Sequence, residues 1–340
     1  MTTASIARIA PALALLAAGG ATLAARAAPR TRAFHFAYEA TVKDIPTGAA
    51  RIDLWIPVPQ DDPYQQIRNL RIASPYQFKI DMAPGGNRVL HVAVGHPAAN
   101  SLAITMDLDA VRTEHVQTRL REGPPLERDE DARVLANYLK RDRLVPLDNQ
   151  IRAWARDVVE KAGAHTDLEM ARAIYQHVVS TVKYDKTGKG WGRGDIYYAC
   201  DARRGNCTDF HAIFIGYARA LGIPARFAIG FPLPAERGEG KISGYHCWAE
   251  FYARGIGWVP VDASEATKNP AKRDYYFGAH DENRIEFSKG RDVILEPPQH
   301  AEPLNYFVYP YAEVDGQPFA GTAFEVRYRD AVPTAAASAR

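Results

Sequence analysis

Apolar and polar residues alternate along most of residues 33–115. The alternating stretches are 34–42, 52–58, 76–82, 90–94 and 102–108. Clusters of glycine, proline and asparagine separate them. Because successive side chains of a strand point to opposite faces, this pattern predicts short strands with one buried face. Several such strands in succession predict a β-sandwich.

Helical spacing replaces the alternation after about residue 130. Apolar residues recur every three or four positions at 151–159 and again at 174–179, which predicts two amphipathic helices. Thr166 and Glu169 have the spacing of a capping box, so the second helix is expected to begin there. The chain is therefore predicted to belong to the α+β class.

The change of pattern also predicts the domain organisation. The charged segment 122–130 contains two consecutive prolines and separates the two kinds of pattern. We place a β-sandwich domain at 33–120 and a second, mixed domain at 125–320. The Ala-rich tail at 333–340 is predicted to be disordered.

A third helix follows a bend at Gly205 and carries Cys207 in its first turn. Apolar residues lie three to four positions apart from 210 to 221, and Gly222 and Pro224 mark the end of this helix. Unpaired N–H groups and the helix dipole stabilise a thiolate at such a position, which lowers the cysteine pKa. Cys207 is therefore a candidate nucleophile; the alternative is an inert, packed cysteine.

A hairpin downstream offers a candidate base. Residues 245–252 alternate as a strand does, a glycine-containing turn follows, and a second strand leads to Asp262. A turn centred on Arg254 would place His246 opposite Asp262, and this carboxylate could orient the imidazole and stabilise its charged form. An ordinary hairpin with a polar face is the alternative.

The same register makes further predictions that a structure can test. It pairs Trp248 with Pro260 and Glu250 with Trp258. Pro260 lacks an N–H, so its pair and those two residues away should be of the closer, non-hydrogen-bonded kind. The histidine and aspartate side chains should then lie roughly 2.6–3.2 Å apart. Later strands at 284–288, 293–295 and 306–312 are expected to extend this sheet.

Three motifs resemble the transglutaminase-like superfamily, whose members are papain-like cysteine enzymes. They are GNCTDFHAIFIGYARALGIPARFAIGF, GYHCWAEFY and GWVPVDAS, and the resemblance covers about residues 148–265. It implies a papain-like core in which the nucleophile, on a helix N-terminus, packs against an antiparallel sheet. It also implies that Cys207 is the nucleophile, His246 the base and Asp262 the orienting acid. The local signature of papain itself is absent.

Four other residues are weaker candidates for the oxyanion hole or the cleft. They are Trp191, Asn206, His211 and Trp248. Trp191 lies in a glycine-rich segment, 188–194, which is expected to be a mobile loop; its indole could wall the cleft or donate to an oxyanion, although surface packing is the more ordinary role. His211 lies one helical turn after Cys207 and could line the cleft, with packing or capping as the safer interpretation.

The remaining cysteines leave two arrangements open. Cys200 and Cys247 could form a disulfide, or both could be buried thiols. The sequence contains no C-x-x-C pair, no H-E-x-x-H and no G-x-S-x-G, so neither a metal site nor a serine hydrolase is favoured. No cofactor is expected.

Residues 1–27 have the features of a secretory signal peptide. Arg8 precedes 17 uncharged residues rich in alanine and leucine, and a small-x-small site ends at Ala27. Seventeen residues are short for a membrane span, so export to the periplasm or the outside is preferred to an anchor. Without this segment the chain has 40 basic and 40 acidic residues. This balance predicts no binding to nucleic acid or to an anionic membrane.

The sequence thus predicts an exported cysteine-dependent enzyme that acts on amides of proteins or peptides through a thioester. Hydrolysis and transfer to an amine both remain open, as does the oligomeric state. Two alternatives remain: a silent binding module with the same fold, and an acyltransferase for small molecules such as arylamines. A narrow, closed cleft would favour the acyltransferase, and an open groove would favour a polypeptide substrate.

Overall fold

The computed structural model of the protein describes residues 28–117, 120 and 130–331. The predicted signal peptide at 1–27, the tail at 333–340 and all but one residue of the boundary segment 122–130 lie outside the described residues. Among those described, no helix has the length and apolar character needed to cross a bilayer.

The described part of the chain contains six α-helices and eighteen strands. The helices are α1 (Ala132–Asn137), α2 (Asn149–Ala162), α3 (Asp167–Thr181), α4 (Ile196–Ala202), α5 (Cys207–Ala220) and α6 (Ala263–Lys268). The first nine strands are β1 (Thr31–Val42), β2 (Arg51–Val58), β3 (Gln65–Ala73), β4 (Phe78–Met82), β5 (Arg88–Gly95), β6 (Leu102–Thr113), β7 (His115–Val116), β8 (Lys183–Tyr184) and β9 (Arg204–Gly205). The others are β10 (Ala225–Pro232), β11 (Glu239–Ile242), β12 (His246–Ala253), β13 (Gly257–Val261), β14 (Ala279–His280), β15 (Arg284–Lys289), β16 (Tyr311–Val314), β17 (Gln317–Phe319) and β18 (Thr322–Asp330). The predicted α+β class is confirmed.

Two five-stranded antiparallel sheets form the sheet-rich part of the molecule. Their strand orders are β11-β18-β1-β6-β3 and β17-β16-β2-β5-β4. Strand β1 buries every second residue, including Phe34, Phe36 and Tyr38, as its alternation predicts. Strand β2 is buried on both faces. The indole N–H of Trp55 on its outer face donates to the Pro297 carbonyl at 2.9 Å, so a later segment covers that face.

A third, four-stranded antiparallel sheet supports the candidate site. Its order is β13-β12-β10-β15, and every residue of α5 is buried where this helix packs between the sheet and helices α2, α3 and α4. The rings of Phe214 and Phe251 lie 6.0 Å apart at the helix–sheet contact. Phe36 of the sandwich lies 5.8 Å from Phe231 and 5.6 Å from Phe287. One continuous core therefore joins the sandwich to the sheet behind the site.

Local signals in the sequence place several helix ends correctly. The Thr166–Glu169 capping box is present at the start of α3. Gly163 ends α2 in the left-handed conformation, with φ of 62°. Cys207 is the first residue of α5, as predicted.

The expectation for the last strands is wrong in part. Strand β15 does pair with β10 in the sheet that carries His246. Strand β16, however, pairs with β2, and β18 pairs with β1, so both complete the sandwich. In the stretch 293–295, only an isolated bridge from Val293 to Leu304 forms. Alternation indicates that a segment is a strand, but it contains no information about which edge the strand joins.

Candidate active site

A tight turn places Cys207 at the start of α5. The Asn206 side chain accepts a hydrogen bond from the Thr208 N–H at 2.9 Å, and the Asp209 carboxylate accepts one from the Asn206 N–H at 2.9 Å. This reciprocal cap satisfies N–H groups that the helix leaves unpaired. Gly205 has φ of 158°, and a Cβ there would lie 2.2 Å from the Asp209 carboxylate, so only glycine fits.

The glycine-rich segment before α4 is held against this turn. The Asp209 carboxylate also accepts hydrogen bonds from the N–H groups of Gly192 and Gly194, at 2.7 and 3.0 Å. Arg291 donates to the Gly194 carbonyl at 2.8 Å. The segment that glycine content predicts to be mobile is therefore joined by hydrogen bonds to Asp209 and Arg291 in this structure. It carries the half-buried Trp191 beside the start of α5.

His246 and Asp262 are in contact, within the predicted distance. Nε2 of His246 lies 2.7 Å from Oδ2 of Asp262. The other carboxylate oxygen accepts hydrogen bonds from the Ser264 hydroxyl and the Glu265 N–H, both at 3.1 Å, because Asp262 is the N-cap of α6. The carboxylate is thus held by a helix start, and it holds the imidazole in turn.

The hairpin register differs from the prediction by two residues. Glu250 lies opposite Pro260, so the predicted pairs of Pro260 with Trp248 and of Glu250 with Trp258 are wrong. The turn centres on Gly255, one residue later than predicted, and the aspartate lies just beyond the end of β13. A shift of two residues keeps every side chain on its original face, because the strand period is two. The histidine and aspartate therefore still meet, but across the open end of the hairpin.

The electrostatics of the site favour a charged pair. Burial opposes ionisation of Cys207, but hydrogen bonds with Cys247 and His246 and the imidazole charge lower its pKa well below the ordinary value of 9. Burial likewise opposes charge on His246, but the charge of Asp262 and its hydrogen bond raise the histidine pKa to about 10. Nε2 is in contact with Asp262, so Nδ1 is the ring nitrogen left for the hydrogen bond between His246 and Cys207. Thiolate and imidazolium therefore coexist over a broad pH range.

Arg284 completes the surroundings of Asp262, and sequence reasoning missed it. Its Nη1 lies 3.2 Å from Asp262 Oδ2, its Nη2 lies 3.3 Å from Asp281 Oδ1, and the residue is 2% exposed. Burial raises the pKa of Asp262, but His246 and then Arg284 outweigh burial and keep that pKa well below its usual range. No sequence motif marks this arginine, because it comes from a different strand, β15.

Two weaker candidates lie behind the reacting groups. His211 is fully buried, and its Nε2 accepts the Ala263 N–H at 3.2 Å. That contact matches the capping interpretation and fixes the start of α6 next to Asp262. Trp248 is also fully buried, with its ring 6.0 Å from that of His246 and 4.8 Å from the Arg284 guanidinium carbon. It supports the imidazole from within the protein and does not line an open cleft.

All three cysteines are free, so the alternative of a Cys200–Cys247 disulfide is excluded in this structure. The sulfur of Cys200 lies 3.4 Å from the Tyr217 hydroxyl. That of Cys247 lies 3.7 Å from the Thr208 hydroxyl, on the side of the strand that faces α5. In residues 28–117, 120 and 130–331, no three His, Cys, Asp or Glu side chains are grouped as metal ligands.

Comparison with known proteins addresses the family. Residues 152–263 match the family described as the transglutaminase-like superfamily. The chain carries a transglutaminase-like domain. The resemblance inferred from the motifs is confirmed, and the matched segment, about a third of the chain, includes Cys207, His246 and Asp262.

Two further comparisons extend the likeness beyond that segment. An uncharacterized protein of Haemophilus influenzae is 28% identical over 311 residues, which cover 81% of this chain and 84% of that protein. A solved structure of a candidate cysteine protease from Cytophaga hutchinsonii aligns with a TM-score of 0.59 at 15% identity, over 89% of this chain and 93% of that one. At this identity the likeness shows a shared fold. The periplasmic domain of TgpA from Pseudomonas aeruginosa aligns with a TM-score of 0.39 at 16% identity, over 71% of this chain and 90% of that one.

Proposed function

We propose that the protein is a cysteine-dependent amide acyl enzyme with Cys207 as nucleophile, His246 as base and Asp262 as orienting acid. The observation that carries this proposal is the 2.7 Å contact between His246 and Asp262 beside a cysteine whose pKa is lowered. Covalent acyl transfer requires a nucleophile that contacts a base, and a base that is held in turn by an orienting acid.

The first half of the proposed reaction forms a thioester. The Cys207 thiolate attacks the carbonyl carbon of an amide, a C–S bond forms, and the carbonyl oxygen becomes an oxyanion. The backbone N–H of Cys207, at the positive end of α5, would donate to that oxyanion. The His246 imidazolium then transfers its proton to the amide nitrogen, the C–N bond breaks, and the amine leaves.

The second half releases the acyl group. Water or a primary amine gives a proton to His246 and attacks the thioester carbon, after which the C–S bond breaks. An acid or a new amide leaves, and the thiolate–imidazolium pair is restored. Asp262 keeps its charge throughout and stabilises each imidazolium. The chemistry needs no cofactor.

One observation favours a small substrate as the second candidate. Cys207 is only 2% exposed and His246 only 6% exposed. Such low exposure of both residues suits a slender acyl donor, such as an extended peptide side chain or an arylamine amide, better than a folded protein surface. The first candidate remains a protein or peptide substrate.

Export is also part of the proposal, on the basis of residues 1–27. N-terminal sequencing of the protein from its native host should find a mature chain that begins near Ala28. Recovery of intact Met1 from a membrane fraction would replace export by anchoring. The balanced charge of the remaining chain supports a partner that is neither nucleic acid nor membrane.

The decisive experiment for the proposed function is intact-mass spectrometry after incubation with peptide, glutamine-amide and arylamine-amide donors. A thioester adduct should form on the wild type and not on Cys207→Ser. Release by water would indicate a hydrolase, and release by an added primary amine would indicate a transferase. No adduct with any donor, together with no fast alkylation of Cys207, would overturn the proposal and leave a binding module.

A further inference from the structure

Tyr245 precedes His246 in the chain, yet its hydroxyl lies at the start of α5. Asn206 Nδ2–H donates to the Tyr245 hydroxyl at 2.8 Å. The Tyr245 and Thr208 hydroxyl oxygens are also 2.8 Å apart. Asn206 and Thr208 are the two chain neighbours of Cys207. The phenol of the residue that precedes the candidate base therefore contacts both neighbours of the candidate nucleophile.

We propose that Tyr245 is a positioning residue whose hydroxyl sets the distance and angle between Cys207 and His246. This inference rests on the proposed function, because it concerns how those two residues react together. The start of α5 and the start of β12 are separate elements, and a displacement of about 1 Å between reacting groups can cost on the order of 100-fold in rate. A direct link between the two starts limits such displacement.

The ring of Tyr245 is itself held in place, so its hydroxyl is a fixed point. It lies 5.5 Å from the Tyr306 ring and 5.8 Å, edge-on, from the Tyr309 ring. Tyr309 in turn stacks on Phe324 of strand β18 at 4.5 Å. Aromatic pairs in these geometries stabilise one orientation of each ring. The sandwich thereby supports the phenol from behind.

The protonation state of the phenol fits a donor role. Burial and then the charge of Cys207 raise the pKa of Tyr245 far above its ordinary value of 10, so the hydroxyl keeps its proton. Its partners are Asn206, Thr208 and Tyr306. A hydroxyl can donate one hydrogen bond and accept two, so these three contacts can all be satisfied.

The first test replaces Tyr245 by phenylalanine, which removes one oxygen and keeps the ring. The kcat for acylation should fall about 10- to 100-fold while KM changes by less than about twofold, because alignment is lost and substrate contacts are not. The pH of half-maximal alkylation of Cys207 should rise by about one unit, since the imidazolium no longer faces the thiolate as closely. Tyr309→Phe is the matched control and should behave as the wild type.

A second variant tests the same link from the helix side. Thr208→Val removes the hydroxyl that lies 2.8 Å from the phenol and nearly preserves side-chain shape. Its effect on kcat should have the same direction as that of Tyr245→Phe and be no larger, because the contact between Asn206 and the phenol remains. The double variant should be no slower than Tyr245→Phe alone, because that change already removes the contact to Thr208. If Tyr245→Phe does not fold, as judged by circular dichroism, the comparison of Thr208→Val with wild type decides.

The outcomes separate this inference from the function on which it rests. A wild-type Cys207 that neither alkylates rapidly at about pH 6 nor forms an acyl adduct overturns the proposed function. If the wild type is reactive, and Tyr245→Phe and Thr208→Val have the same kcat and alkylation profile as Tyr309→Phe, only the positioning role is overturned. Fully additive losses in the double variant would also refute it, because the two hydroxyls would then act separately.

Discussion

The replacement of Asp262 by asparagine is the sharpest test of the proposed site. The change is nearly isosteric, and Oδ1 of the new side chain can keep the bonds to Ser264 and the Glu265 N–H that cap α6. The amide nitrogen then takes the place of Oδ2, which faces His246 Nε2 at 2.7 Å. A donor at that place favours an imidazole with its proton on Nδ1, which is the wrong tautomer for a base that faces the sulfur.

The expected loss follows from the protonation of His246. In the wild type, burial lowers the histidine pKa, but the charge and hydrogen bond of Asp262 raise it to about 10. Asparagine leaves burial and the smaller effects of Cys207 in place and removes the two largest opposing effects, so the pKa of His246 should fall well below 10. Each unit by which this pKa falls below the assay pH costs about tenfold in protonated imidazole. The wrong tautomer adds to this cost, so the total loss in acylation should reach about 10³–10⁴-fold.

The assay is kcat/KM as a function of pH, with the alkylation rate of Cys207 by iodoacetamide in parallel. In Asp262→Asn the basic limb of the kcat/KM profile should move to lower pH, and the pH of half-maximal alkylation should rise, because the thiolate loses part of the imidazolium that stabilises it. Circular dichroism should show the same fold. Asp274→Asn is the matched control, because Asp274 is exposed and the variant has the same change of net charge.

A basic limb that stays in place in Asp262→Asn would refute the reasoning. It would mean that the carboxylate does not set the histidine pKa, even though the two side chains are in contact. An equal loss of activity in Asp274→Asn would refute it as well, since the effect would then come from net charge.

Three further outcomes are expected. At about pH 6, iodoacetamide should label Cys207 faster than Cys200 or Cys247, because burial raises the pKa of Cys200 to about 11, and burial and the neighbouring Cys207 raise the pKa of Cys247 well above its ordinary value. Equal slow labelling of all three, measured by peptide mass spectrometry, would contradict the assignment of the nucleophile. The raised pKa of His246 adds to the free energy of unfolding fully below pH 6.5, and this contribution is lost as the pH rises towards 10. The lowered pKa of Cys207 adds to the free energy of unfolding fully above pH 9, and this contribution is lost as the pH falls. The two slopes oppose each other where both groups are charged only in the folded state, so Cys207→Ser should lose unfolding free energy relative to wild type as the pH rises towards 9; urea titrations at pH 7 and 8 measure this, and an equal difference at the two pH values would be inconsistent with a charged pair. Arg284→Met should cost about 3–5 kcal/mol in the same titrations, because it removes a buried guanidinium from the buried Asp262 and the partly buried Asp281, and a loss below about 1 kcal/mol would show that the guanidinium is not needed there.

The sequence by itself determined the local features of this protein. Alternation defined strands such as β1, β2 and β6, and the Thr166–Glu169 box defined the start of α3. The bend at Gly205 and the apolar spacing after it defined the helix that begins at Cys207. These features depend on residues within one helical turn or one strand, so the sequence near each of them is sufficient.

Only the tertiary structure decided which segments meet. The two-residue period of the strands placed His246 and Asp262 on one face of the hairpin. Which residues lie opposite each other depended on the position of the glycine turn. The partners of β16 and β18, the Arg284 contact to Asp262, and the bridge from Tyr245 to Asn206 and Thr208 join residues that are far apart in the chain. Such contacts result from how sheets and helices pack, and the periodicity of one segment does not encode the side chain that another segment presents to it.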